Sequence, residues 1–137
     1  MPWLSPWQRP RPAGGMTVHH NAHMLDQPDQ ALMALIDRVA ARDETALKAL
    51  YDLSSGKLYG LALRVTGHRE WAEDALQETF LQIWKTAADY RASLSPPMAW
   101  LGLIVRSRAL DQLRRHKAER EHLTDELDEA LADTLEG

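Results

Sequence analysis

The sequence predicts an all-α protein, a compact bundle of about four helices that follows a disordered N-terminal tail. Beyond residue 28, apolar residues recur at three- and four-residue steps, which is the period of amphipathic helices. No segment alternates with period two, so we expect no sheet. The 137 residues are 45% hydrophobic, which is enough for the core of one domain.

Composition excludes several classes of protein. The chain has no cysteine, which excludes disulfides and thiolate metal sites and is typical of a reducing cytoplasm. No apolar run approaches the roughly 20 residues that span a bilayer, and no apolar segment follows Arg9 and Arg11 as in a secretory signal. We therefore predict a cytoplasmic protein without membrane insertion. The net charge of −4 argues against nucleic-acid binding by the chain as a whole, but the charges are unevenly distributed.

Residues 1–28 are predicted to be a disordered extension, because they contain five prolines and a Gly-Gly pair but no apolar period. Three histidines in this segment lack neighbouring carboxylates or cysteines, so we interpret them as loose side chains rather than as metal ligands: His19, His20 and His23. Met16 and Met24 are alternatives to Met1 as the true start.

The first two helices are recognised by their stripes and caps. The first is predicted over residues 29–41, with an apolar stripe of Leu32, Leu35, Ile36 and Val39. Asp43 is the predicted N-cap of the second helix, which continues to Thr66 with Gly67 at the C′ position. Residues 54–56, Ser-Ser-Gly, interrupt this helix, and we expect a kink or a brief irregularity there.

The third helix is predicted over residues 70–88, and its stripe comprises Ala72, Ala75, Leu76, Thr79, Phe80 and Ile83. Residues 89–97 form a loop, with Ser95 as the cap of the fourth helix and Pro96 in its first turn. The fourth helix is predicted from residue 97 to about 119, so that residues 29–120 form the domain. Residues 121–137 are acidic, and they are either a linker that orders only against something else or a weak amphipathic helix with a leucine at every fourth position.

Charge is sorted between the third and fourth helices. The side of the third helix opposite its stripe carries Glu70, Glu73, Asp74, Gln77 and Glu78. This side is either a solvated face or a docking surface for a basic partner helix. The fourth helix carries six cations: Arg106, Arg108, Arg114, Arg115, Lys117 and Arg120. These cations either contact the phosphate backbone of a nucleic acid or complement the C-terminal dipole of a surface helix.

Two runs resemble one protein family. Residues 73–84, EDALQETFLQIW, resemble the "DAEDLVQETFLRAW" pattern of the second region of the sigma-70 transcription initiation factors. Residues 100–115, WLGLIVRSRALDQLRR, resemble that family's "WLxxIARNRAIDxLRR". The order and spacing also agree, the resemblance covers roughly residues 30–120, and it is closest to the extracytoplasmic-function (ECF) group.

The resemblance implies roles for both helices. The third helix would grip the clamp helices of the RNA polymerase β′ subunit through Asp74, Gln77, Glu78 and, less directly matched, Glu73 and Gln82. The fourth helix and the loop before it would recognise the promoter −10 element as opened single strand, with one non-template base flipped into a pocket formed by residues 89–97. The implied DNA-contacting residues are Tyr90, Arg91, Ser93, Trp100, Arg106, Ser107, Arg108, Asp111, Arg114 and Arg115.

The sequence bears directly on three of these assignments. The family commonly has asparagine at the position of Ser107, and serine has a shorter reach. Trp100 is flanked by Leu101 and Ile104, so we expect it in the core or at its edge rather than stacked on a base. Tyr90 is the better aromatic candidate for a nucleic-acid contact.

The predicted function is therefore that of an ECF sigma factor, which is not an enzyme and needs no cofactor or metal. Its implied partners are core RNA polymerase, promoter DNA and an anti-sigma factor. The family's second domain, which reads the −35 element, is absent from this chain, so we expect either a fragment or a protein that works without that domain. Two rivals stay open. One is a sigma-like decoy that binds polymerase or an inhibitor without productive promoter recognition, and the other is a helical regulator of duplex DNA.

Overall fold

The computed structural model describes residues 27–136, and they form four α-helices. These are α1 (Gln27–Ala40), α2 (Glu44–Thr66), α3 (Arg69–Thr86) and α4 (Pro97–Glu136), with a single turn of 3-10 helix, Ala87–Asp89, after α3. These residues include no strand, so the predicted all-α class is confirmed. The predicted disordered tail and its three histidines lie outside the described residues.

The core is built from the stripes that the helical period predicts. All four predicted stripe residues of α1 and all six of α3 are buried. Helices α2, α3 and α4 pack against one another, and α1 lies mainly on α2. The buried face of α4 comprises Pro97, Leu101, Ile104, Val105, Ala109 and Gln112.

Both predicted caps of α2 are confirmed. The Asp43 carboxylate accepts a hydrogen bond from the backbone N–H of Ala46 at 3.2 Å, which satisfies one of the free donors at the helix start. Gly67 has φ 71°, and its N–H donates to the Leu63 carbonyl at 2.8 Å. A left-handed residue is needed to end the helix in this way, and glycine adopts that conformation without a steric penalty.

The predicted irregularity at residues 54–56 is wrong, because α2 continues through this segment without interruption. Ser54 and Ser55 are buried in the bundle. The Ser54 hydroxyl donates to the Leu50 carbonyl at 2.6 Å, so its polar atom is satisfied inside the helix. Tertiary packing of this segment therefore outweighs its weak helix propensity.

The predicted end of α4 near residue 119 is also wrong, since the helix continues to Glu136. Every residue from Lys117 to Glu136 is exposed. At 1.5 Å per residue, this part of α4 extends about 30 Å beyond the bundle. Of the two alternatives for the acidic segment, the helix is the one observed, as far as Glu136, and a linker role stays a prediction.

Within residues 27–136, no helix is both long enough and apolar enough to cross a membrane. The same residues contain no group of three or more histidine, aspartate or glutamate side chains placed to hold a metal ion.

Candidate functional site

The first part of the candidate site is the outward side of α3. Glu73, Asp74 and Gln77 are exposed, and none of their side chains forms a hydrogen bond or an ion pair within the described residues. The helical period explains their position, because it places Ala75, Leu76 and the other stripe residues inward. Gln82 lies half-buried further along the helix. Two carboxylates and an amide are thus presented to solvent, although Asp74 is near enough to Arg115 to help raise the pKa of that guanidinium.

Glu78 differs from its neighbours because α4 holds it. Arg115 donates from Nη2 to both carboxylate oxygens of Glu78, each at 2.9 Å. Gln112 donates from Nε2 to Glu78 Oε2 at 3.1 Å, and the Gln112 side chain is buried. The hydrogen bond to Glu78 raises the pKa of the Arg115 guanidinium above its ordinary value. Glu78 therefore joins α3 to α4 and is only partly exposed.

This contact joins the two helices between which the sequence sorts its charges, so the acids of α3 and the arginines of α4 are not independent of each other. Glu78, predicted to bind polymerase, and Arg115, predicted to bind DNA, neutralise each other across the two helices. Asp111, another predicted DNA-contacting residue, is likewise shared, because Arg108 approaches it at 2.9 Å and Arg114 also bonds to it. Three of the four predicted DNA-contacting arginines of α4 are therefore ion-paired within the chain.

The ion pairs leave guanidinium groups on α4 that are still accessible to a nucleic-acid phosphate. Arg106 and Ser107 are exposed, and Arg106 forms no ion pair within residues 27–136. Arg114 and Arg115 keep 69% and 54% of their side-chain surface exposed. A guanidinium has five N–H donors, so a pair with one carboxylate leaves others free for phosphate. Exposed pairs of this kind contribute only about 0–1 kcal/mol and exchange readily for a competing anion.

The loop before α4 is a small structure closed by its own hydrogen bonds. The Tyr90 hydroxyl donates to the Ser95 carbonyl at 2.8 Å, and the Arg91 carbonyl accepts from the backbone N–H groups of Leu94 and Ser95. The Arg91 guanidinium donates to the carbonyls of Ala88 at 2.7 Å and Tyr90 at 3.0 Å. Ser93 and Leu94 are exposed at the tip.

Two predictions for this loop need correction. Tyr90 is buried, and its ring centroid lies 5.2 Å from that of the half-buried Trp100, so it has no free face on which a base could stack. Burial also raises the pKa of the Tyr90 hydroxyl. Tyr90 therefore supports the loop rather than contacting a ligand. Pro97 is the first residue of α4, and the Pro96 carbonyl accepts from the Trp100 N–H, so the helix begins one residue later than a Ser95 cap implies.

Sequence reasoning missed three contacts at this site. Gln112 fills an unassigned position of the resembled motif, yet it is buried against Glu78. Trp71 stacks on His116 of α4, with ring centroids 4.0 Å apart and planes at 5°. Arg42 donates to the Trp84 carbonyl at 2.6 Å and lies over the Trp84 ring. No spacing rule could have found these contacts, because each joins residues at least 34 positions apart.

The fold and site together define a class: a small all-α domain in which one helix presents unpaired acidic and amide side chains and the adjacent helix presents arginines. Comparison with known proteins identifies the class. Residues 50–119 match the sigma-70 region 2 family, and the chain belongs to this family. Family membership supports the prediction that the chain is not an enzyme, because sigma factors are transcription initiation factors.

Curated relatives point to the same family. The chain is 37% identical over 87 residues to an ECF RNA polymerase sigma factor SigK of Mycobacterium sp. (strain KMS), covering 64% of this chain and 45% of that protein. It is 36% identical over 87 residues to the protein of the same name from Mycobacterium ulcerans, covering 64% and 46%. The Mycobacterium tuberculosis (strain ATCC 25177 / H37Ra) protein is 33% identical over the same length. The matches thus cover about half of each relative's length.

Proposed function

We propose that this chain acts as an ECF-type RNA polymerase sigma factor, through a region 2 domain that binds core polymerase and opens the promoter −10 element. The family assignment and the sigma-factor relatives support this proposal. A protein with this function acts in the bacterial cytoplasm, where RNA polymerase works. The proposal also includes an anti-sigma factor as a further protein partner.

The single observation that carries the proposal is the solvent exposure of the acidic face on α3. Glu73, Asp74 and Gln77 are exposed and form no hydrogen bond or ion pair within residues 27–136. Charged groups of this kind orient a complementary partner and accelerate its association. We assign them to the clamp helices of the polymerase β′ subunit. Glu78 has a different role in this proposal, because its oxygens are already bonded to α4, and it fixes the position of the face rather than forming its contacts.

The test of this assignment is the variant Asp74→Lys in a pull-down with core polymerase. We expect at least about a tenfold loss of affinity, because a contact in the centre of the face becomes a repulsion. The matched control is Asp52→Lys, which makes the same charge change at an exposed position on α2. If the Asp74 variant bound core polymerase as tightly as the unmodified chain, this face would not be the docking surface.

The DNA-binding half of the proposal is supported by Arg106 and Ser107, which are exposed on α4 ahead of the paired arginines. The expected target is opened promoter DNA, whose unpaired bases are accessible. We expect Arg106→Ala to weaken binding to a bubble template and to reduce the salt slope by about one unit. The control is Arg64→Ala, at an exposed arginine of α2. An unchanged slope would exclude a phosphate contact by Arg106.

A second candidate function, the sigma-like decoy, is favoured by the internal ion pairs of Arg108, Arg114 and Arg115. These pairs reduce the positive charge available to DNA, while Glu73 and Asp74 on α3 stay exposed and without an ion pair within the described residues. Promoter-dependent transcription with core polymerase distinguishes the two functions. Transcripts from a −10 template support the initiation factor, whereas tight core binding without open-complex formation on any bubble template supports the decoy.

A further inference from the structure

The last five turns of α4 carry an apolar face that nothing within residues 27–136 covers. Leu123, Leu127, Leu131 and Leu135 are 55%, 57%, 61% and 85% exposed. The helix that carries them has left the bundle, and an isolated helix of this length is only marginally stable in water. Contiguous exposed leucines on a helix are typical of an interaction surface.

The distribution of residues around this part of α4 forms a well-defined amphipathic surface. At 100° per residue, the four leucines, Ala130 and Thr134 fall within an arc of about 140°, which we call the leucine face. All seven carboxylates of the segment lie outside this arc: Glu121, Asp125, Glu126, Asp128, Glu129, Asp133 and Glu136. The arc also includes the direction of three of the six buried residues of α4, Val105, Ala109 and Gln112, whereas the other three point beyond its edge. The leucine face therefore overlaps one edge of the side of α4 that packs on the bundle.

A groove lies where α4 leaves the bundle. It has a volume of about 660 Å³, and it is lined by Trp71 of α3 and by residues of α4: Leu113, Lys117, Arg120, Glu121, Thr124 and Asp125. The Trp71 indole is held by contacts with His116, at 4.0 Å between ring centroids, and His68, at 3.8 Å. Leu113, Arg120 and Thr124 point in the same arc as the leucine face. The face therefore begins at a preformed aromatic wall, against which one end of a docked helix can pack.

Charge determines which occupant fits. Residues 121–136 contain seven carboxylates and neither lysine nor arginine. Glu126 and Asp133 border one side of the leucine face, and Asp128 borders the other. Asp128 and Asp133 have no ion pair within the described residues. A second copy of this helix would bring like charges together along both borders, whereas a helix bordered by lysine and arginine would find complementary charges.

We propose that the leucine face binds a basic amphipathic helix of a partner protein. The partner's apolar stripe covers Leu127 and Leu131, and its lysines and arginines contact the bordering carboxylates. This proposal is independent of the assignments to polymerase and promoter DNA, because it uses none of their residues.

The test is an NMR titration of the full chain, labelled with ¹⁵N, with a synthetic helix of about 21 residues that carries leucine on one face and lysine elsewhere. A peptide with glutamate in place of lysine is the control ligand. We expect amide shifts along residues 117–135 with the lysine peptide and none with the glutamate peptide. The double variant Leu127→Ser and Leu131→Ser should bind the lysine peptide at least about tenfold more weakly.

The matched protein control is the double variant Leu81→Ser and Leu103→Ser, which removes two leucines with 63% and 65% exposure elsewhere on the domain. It should bind the lysine peptide as the unmodified chain does. Equal affinity of the Leu127 and Leu131 variant would overturn the proposal, because binding would then depend on charge alone. Concentration-dependent self-association through the leucine face would overturn it in favour of a second copy. Deletion of residues 1–26 is a further test. If it shifted the amide signals of residues 123–135 in the absence of peptide, it would overturn the proposal, because the chain's own N-terminal segment would then be the occupant of the leucine face.

Discussion

Replacing Glu78 with alanine should destabilise the domain more than replacing Arg115, although these two residues form the same ion pair. Arg115 is 54% exposed at its side chain, so its loss removes a largely hydrated pair and costs about 0.5–1 kcal/mol. Loss of Glu78 removes the pair and also the acceptor of the Gln112 amide. That amide belongs to a residue only 4% exposed, and an unsatisfied buried donor costs about 1–3 kcal/mol.

These contributions give a free-energy loss of about 1.5–4 kcal/mol for Glu78→Ala, against about 0.5–1 kcal/mol for Arg115→Ala. Glu78→Gln is the matched control, because its amide oxygen can still accept from Gln112 while the charge is lost. We expect Glu78→Gln to resemble Arg115→Ala. For a chain of this size, the difference between the alanine variants corresponds to a change in Tm of roughly 5–10 °C.

Urea denaturation followed by circular dichroism measures the three variants on one scale. The reasoning would be refuted if Glu78→Ala and Arg115→Ala proved equally destabilising, because Gln112 would then not depend on the carboxylate. It would also be refuted if Glu78→Gln were as damaging as Glu78→Ala. The order of the variants matters for function as well, since a Glu78 variant that binds polymerase poorly could do so through loss of the α3–α4 contact.

The remaining predictions concern glycine geometry and acid stability. Gly67→Ala should lower stability by about 1 kcal/mol in thermal unfolding, since its φ of 71° is strained for alanine although no atom obstructs the new Cβ. Gly60→Ala, in the interior of α2 with equally open space, should raise stability by about 0.5–1 kcal/mol, and the same sign in both variants would contradict the conformational argument. The hydrogen bond from Arg38, followed in size by the hydrogen bond from the Ala46 N–H, holds the pKa of Asp43 below its ordinary value. The ionised carboxylate therefore stabilises the fold above about pH 4, and this stabilisation disappears as pH falls through the folded pKa. Asp43→Asn should therefore flatten the acid side of the Tm–pH curve, and an identical curve would exclude this linkage.

Several features of the fold follow from local rules. Helical period predicts the buried faces of α1 and α3, because a helix can bury only one side against a single core. The chemistry of Asp43 and Gly67 predicts both ends of α2, because free backbone groups need partners wherever the residues nearby can supply them. Spacing within two motifs also indicates the family and, through it, the helices that carry the candidate site.

Local rules fail where the outcome depends on a neighbouring helix. The weak helix former Gly56 and the two serines before it stay helical because the bundle buries that segment. Tyr90 could have faced solvent or core, and its exposure is decided by Trp100 and by an acceptor at Ser95.

The amino-acid sequence by itself determined the all-α class, the sorting of acids onto α3 and arginines onto α4, and the membership of the sigma-70 region 2 family. Only the tertiary structure decided which of those charges are available. It joins Glu78 to Arg115 across 37 positions and leaves Glu73, Asp74 and Arg106 without ion pairs within the described residues. The physical reason is that pairing between helices depends on packing and side-chain rotamers, and neither is encoded in the spacing of residues along one helix.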